Sequence, residues 1–124
     1  MRLDHTIIPV KDKEASAKFF ARIMGLDFQG IRGSQGFVRV NEAMMLRFDE
    51  KPRNHEHYGF HVSEDEFDAV VERLSADDMT YGNSPTQQDN VVGSLDGGRR
   101  IFFTDPDGHS IELITAASPD INAS

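Results

Sequence analysis

The chain repeats itself, and that repeat limits its folds more than any single motif does. Asp4-His5, four residues, then Val10-Lys11-Asp12 matches Glu56-His57, four residues, then Val62-Ser63-Glu64. His5 and His57 therefore fall at one position of two modules. In the first copy Leu3 to Val10 reads as a strand, and Asp12 stands where a helix N-cap belongs. Phe19, Phe20, Ile23 and Met24 recur on one helical face, and Gly25 suits a left-handed C-terminal cap. Strands follow at Leu26 to Gln29, Phe37 to Val40 and Ala43 to Phe48, before a polar linker from Glu50 to Glu56.

The second copy opens with a strand from His57 to Val62. Ser63 and Glu66 form a capping-box pair, and Phe67, Val70, Val71 and Leu74 mark one face of a helix ending near residues 76–78. Met79 to Tyr81 reads as a short strand. The polar, turn-rich stretch from Gly82 to Gly98 is long for a structureless connection, which points to a functional loop or lid. Arg99 to Thr104 and Ser110 to Thr115 read as the closing strands, and Ala116 to Ser124 as a frayed tail. The pattern βαβββ, twice, defines an α+β fold. It predicts one domain, with module one at about 1–50 and module two at about 56–116, forming a curved mixed sheet around a cleft.

Composition removes several function classes. The 124 residues suffice for one domain with a real core. No cysteine is present, so there is no disulfide, thiolate ligand or cysteine nucleophile. A formal charge of −8 argues against a nucleic-acid partner. No apolar run approaches membrane length, and the first residues lack a signal-peptide core, so no membrane partner and a cytoplasmic location are expected.

The chemistry centres on Glu112. It lies between Ile111 and Leu113 on the last strand, after the turn Asp105-Pro106-Asp107-Gly108-His109, and alternation turns it to the face opposite those two. His5 and His57, opening the two modules, are the residues that can meet it. Two imidazoles and one carboxylate form a facial set for a divalent ion, with positions left for water and substrate. His61 shares the strand face of His57 and is a candidate acid–base group. Singly, each histidine would read as an ordinary strand residue; the shared repeat position favours the metal reading.

These residues carry a resemblance. His5-Thr6-Ile7-Ile8-Pro9-Val10, His57-Tyr58-Gly59-Phe60-His61-Val62, and the run Arg100 to Leu113 with its Asp-Pro-Asp-Gly-His turn resemble the vicinal oxygen chelate superfamily. That superfamily takes in glyoxalases, fosfomycin-resistance enzymes, extradiol dioxygenases and bleomycin-binding proteins. The resemblance spans residues 3 to 115 and implies His5, His57 and Glu112 as metal ligands, with Fe2+ or Mn2+ ranked ahead of Zn2+ or Ni2+. It also implies a homodimer and a small-molecule substrate that chelates through adjacent oxygens. Departures narrow the chemistry. A glyoxalase-type fourth acid is missing from Ala43 to Phe48, where the matching position falls near Leu46. The tyrosine that extradiol enzymes place before the ligand glutamate is replaced by Ile101, Phe102 and Phe103, leaving Tyr58 or Tyr81 to supply a phenol. The threonine that fosfomycin-modifying relatives carry two residues after the first ligand histidine is Ile7, while Arg39, Arg47, Arg99 and Arg100 are candidates to hold an anion. The expectation is a metal-dependent enzyme, oxygenase chemistry ahead of lyase or transferase chemistry, with His61, Tyr58 and Arg100 as catalytic candidates. The alternative is a sequestering binder without turnover.

Overall fold

The computed structural model describes residues 1–52 and 54–117; the tail expected to fray lies largely outside them. The order of elements is β1(His5–Val10), α1(Lys13–Met24), β2(Asp27–Arg32), β3(Gln35–Arg39), β4(Met45–Glu50), β5(His57–His61), α2(Glu64–Ala76), β6(Gly93–Leu95), β7(Gly98–Thr104) and β8(Ser110–Ile114). The βαβββ pattern is thus present twice. It builds two four-stranded sheets, β1-β4-β3-β2 and β5-β8-β7-β6. In each, the module's first strand runs parallel to its last, and the other pairs are antiparallel.

The chain falls into two compact units. The first covers Met1–Glu56 and takes in Asp105–Gly108; the second begins at His57, runs to Thr104 and resumes at His109. In the first unit the Asp12 carboxylate accepts from the N–H groups of Glu14 and Ala15, and Gly25 closes α1 in the left-handed region at φ 69°. One face of α1 buries Ala17, Phe20, Ala21 and Ile23, and the sheet contributes Ile8, Val10, Val38, Leu46 and Phe48 to the same core. Phe20 and Phe48 meet with ring centroids 5.5 Å apart. The turn at Asp105–Gly108 finishes this unit. The buried Asp107 accepts from the Lys11 N–H at 2.8 Å and from the Ser16 hydroxyl at 2.6 Å.

In the second unit both halves of the expected capping box are present at Ser63 and Glu66. Phe67, Val70 and Leu74 are buried, as are Ile101, Phe103, Ile111 and Leu113 of the sheet. Arg99 of β7 fastens α2: its guanidinium lies 4.3 Å from the centre of the Phe67 ring and pairs with Glu64 and Asp68. Those two acids hold the Arg99 pKa above its ordinary value, Asp68 most.

Residues 79–81 do not form the expected strand. Their backbone is engaged elsewhere: Tyr81 donates to the Asn90 side chain and accepts from the Asn90 N–H at 2.7 Å. The fourth strand is instead Gly93–Leu95, inside the stretch expected to be a loop. Asp96 and Gly97, with φ of 51° and 83°, turn it tightly into β7, as an Asp-Gly pair does when both residues must be left-handed. The rest of the 82–92 segment is tied down by Gly82, which bridges to Phe102, and by Gln88, whose amide donates to the carbonyls of Ser84 and Phe102. Among the described residues no helix is long and apolar enough to cross a membrane.

Candidate metal and substrate site

Sheet two brings two of the three expected ligands together. β5 and β8 pair in parallel with His57 opposite Ser110 and Gly59 opposite Glu112. His57 and Glu112 are therefore diagonal neighbours on one face, and Gly59 leaves room between them. His57 Nε2 lies 2.9 Å from Glu112 Oε1. The imidazole is about half exposed, and the carboxylate retains 17 % exposure. Phe102, opposite Glu112 on β7, walls the pair with its ring edge-on to His57 at 5.6 Å.

His5 belongs to the first unit. Its Nδ1–H donates to Asp4 at 3.0 Å, and Nε2 is the other ring nitrogen. A carboxylate fixing the far nitrogen of an imidazole is the support that ligating histidines commonly have. The hydrogen bond from His5, with the charges of His5, Arg47 and Arg2 behind it, holds the Asp4 carboxyl below its ordinary range. Among the described residues of one chain, no three His, Asp or Glu side chains gather into a group that could hold a metal. The donor set of imidazole and carboxylate, half open to solvent and free of thiolate, suits a borderline divalent ion.

The catalytic candidates separate. Arg100 lies beside the pair, Nη1 4.0 Å from Glu112 Oε2, with its centre 5.5 Å from the Phe102 ring. It is steadied by Asn83, whose Oδ1 accepts from Nε and Nη2. His61 follows on the same strand, and its Nε2 lies 3.1 Å from the Thr115 carbonyl. Tyr58 alternates to the opposite face from His57, where its ring meets the fully buried His109 edge-on at 5.9 Å. Tyr81 is buried by its pairing with Asn90.

Sequence reasoning missed three participants. Ser110 faces His57 across the strand pair, with a buried hydroxyl that has no partner among the described residues. Asn83 orients Arg100, and Gly93 makes space for it, since a Cβ there would collide with the Asn83 amide. The fourth-acid position is also re-placed. Leu46 is 2 % exposed and points into the core, so the outward residues of β4 are Met45, Arg47 and Asp49. The acid on that face is Asp49, and it accepts from the Gln35 amide at 3.1 Å.

Two βαβββ repeats, each presenting a histidine at the start of its first strand and one adding a carboxylate, define a paired-module α+β protein of the glyoxalase type. A family model described as Glyoxalase/Bleomycin resistance protein/Dioxygenase superfamily matches residues 2–113, and the chain belongs to that superfamily. Its relatives include a metallothiol transferase FosB from Lysinibacillus sphaericus (strain C3-41), 30 % identical over 95 % of this chain and 84 % of the relative. Among solved structures, Oxidase ChaP-H2 superposes with a TM-score of 0.89 at 33 % identity, covering 97 % of each chain. Oxidase ChaP-H1 superposes with 0.87 at 33 %, covering 94 % of this chain and 97 % of the other.

Proposed function

We propose that this chain is a metal-dependent enzyme acting on a small molecule with adjacent oxygens, with oxygenase chemistry ranked above lyase or transferase chemistry. The observation that carries this reading is the contact of His57 with Glu112 at 2.9 Å, on a face that also presents Arg100. His5, the repeat equivalent of His57, is the third ligand. The ranking of oxygenase chemistry is supported by the likeness to Oxidase ChaP-H2, which matches more of both chains than the transferase does. When bound, the ion supplies Lewis-acid stabilisation of an oxyanion or, as iron, oxygen chemistry, with Fe2+ or Mn2+ ahead of Zn2+ or Ni2+. The chain's own residues do the rest. Glu112 contributes the single carboxylate of the set. Arg100, held by Asn83, orients that carboxylate and offers N–H donors to a substrate anion. Phe102 excludes water from one side of the pair. His61 is the nearest further imidazole on the strand and serves as the proton carrier.

The reading takes the protein to be a homodimer in a reducing cytoplasm. In this reading His5 of one copy joins His57 and Glu112 of another.

Metal analysis of tag-free protein tests this reading. The expected result is one equivalent per chain, lost in His5→Ala, His57→Ala and Glu112→Gln, and oxygen uptake by the iron-loaded protein with catechol as probe. An unchanged metal affinity in Glu112→Gln removes the ligand set. Full catechol binding by metal-free protein, with no turnover when iron is restored, makes the chain a sequestering binder.

A further inference from the structure

Ser110 carries a polar group that the fold hides and leaves unmatched. Its hydroxyl oxygen is buried, and no group among the described residues bonds to it. A buried hydroxyl without a partner lowers stability, and such groups are rare in folded chains. This one lies at a particular place. β5 and β8 pair with Ser110 opposite His57, and β7 and β8 pair with Thr104 opposite Ser110. Glu112 follows two residues after Ser110 on β8, so the hydroxyl belongs to the sheet face of His57 and Glu112. Thr104 is exposed and leaves the hydroxyl without a bond.

His57 has a second ring nitrogen. Its contact with Glu112 uses Nε2, so Nδ1 is the atom left for a supporting bond. In module one the corresponding imidazole has its Nδ1 fixed by the Asp4 carboxylate. The repeat puts Glu56 at the place of Asp4, yet the buried group without a partner beside His57 is Ser110. A neutral imidazole that ligates through Nε2 carries its proton on Nδ1, and that proton needs an acceptor.

We propose that Ser110 is the positioning residue of His57: when Nε2 takes a metal ion, Nδ1–H donates to Ser110 Oγ, which fixes the tautomer and the plane of the ring. The hydroxyl is unsatisfied in the metal-free protein and finds its partner in the loaded one. The inference rests on the proposed ligand set, of which His57 is a member; Ser110 is not itself a ligand.

The test uses full-length, tag-free protein with zinc as the probe and no substrate. Metal-free Ser110→Ala is expected to be at least as stable to urea as the wild type, while its zinc affinity by calorimetry falls about tenfold. Ser110→Thr, which keeps the hydroxyl, recovers most of that affinity. In the zinc-loaded wild type labelled with 15N-histidine, the His57 Nδ1 proton is expected to exchange slowly with solvent, and in Ser110→Ala quickly. Wild-type zinc affinity in Ser110→Ala overturns the proposal. So does a metal-free Ser110→Ala less stable than the wild type, because the hydroxyl then has its partner without the ion. A loss of zinc confined to Glu56→Gln gives the role to Glu56 and overturns it as well. Glu112→Gln separates the two readings. Unchanged zinc affinity there removes the ligand set and the proposal with it; a loss there with none in Ser110→Ala removes only the role of Ser110.

Discussion

Arg47 and Glu112 occupy the same register position in two copies of one module, and they carry opposite charge. The two halves have thus kept one backbone plan while dividing the electrostatic work. One offers a carboxylate beside an imidazole, and the other offers a guanidinium above an aromatic ring.

Arg47→Glu turns that contrast into a measurement. It replaces the cation by a second carboxylate near His5. Zinc affinity measured by calorimetry is expected to rise about tenfold, or ~1.4 kcal/mol. Unchanged zinc affinity means that the first module's open face has no bearing on the ion.

Mixing inactive variants tests where the third ligand comes from. His5→Ala and Glu112→Ala are each expected to bind no metal. Refolded together at equal amounts, they form mixed dimers in which one of two sites is whole, so about one quarter of all sites recover metal. Recovery near zero, with mixed dimers verified by native mass spectrometry, places all three ligands in one chain.

The closing turn is expected to dominate the stability of the first unit. Asp107→Ala removes a buried carboxylate and leaves the Lys11 N–H and the Ser16 hydroxyl without their acceptor. Urea unfolding should show a loss of about 2–4 kcal/mol. Asp107→Asn keeps one oxygen acceptor and should recover part of it.

Gly93→Ala is expected to act at a distance in sequence. The added methyl collides with the Asn83 side chain, which must swing away and release Arg100. Stability should fall by about 1–3 kcal/mol. With catechol as substrate, KM should rise more than kcat falls, because the lost group positions Arg100 and is not itself a ligand.

How much of this was legible in the sequence depended on the range of the interaction concerned. Both helices were, because their ends are fixed by neighbours: Asp12 caps the next turn, Gly25 closes one helix, and Ser63 and Glu66 cap each other. The partnership of His57 with Glu112 was legible because the repeat supplied a second frame for counting. The place of Arg47 was not. The outward residue of β4 is set by its pairing with β1, and a slip of one residue exchanges Leu46 for Arg47. Residues 79–81 alternate as a strand should, yet their hydrogen bonds go to Asn90. Gly93–Leu95 carries almost no side-chain pattern. Its only signal was the Asp96-Gly97 turn behind it, hidden in a stretch rich in turn residues. Asn83 and Ser110 became visible only as partners of residues brought close by the sheet.

The hairpin turn that ends β7 belongs to the first unit although it is written near the end of the chain, and this orders the events of folding. Asp107 meets Lys11 and Ser16 across sequence separations of 96 and 91 residues. Closing loops of that length is entropically slow, and such distant contacts raise contact order. A chain emerging from the ribosome can form α1 and its sheet early, but it must leave the Ser16 hydroxyl and the Lys11 N–H unmatched until residue 107 arrives. The core of the first unit can thus be built before the contacts that finish its edge. A truncated chain ending at 104 would expose that unfinished edge to aggregation before it lost any residue of its first module.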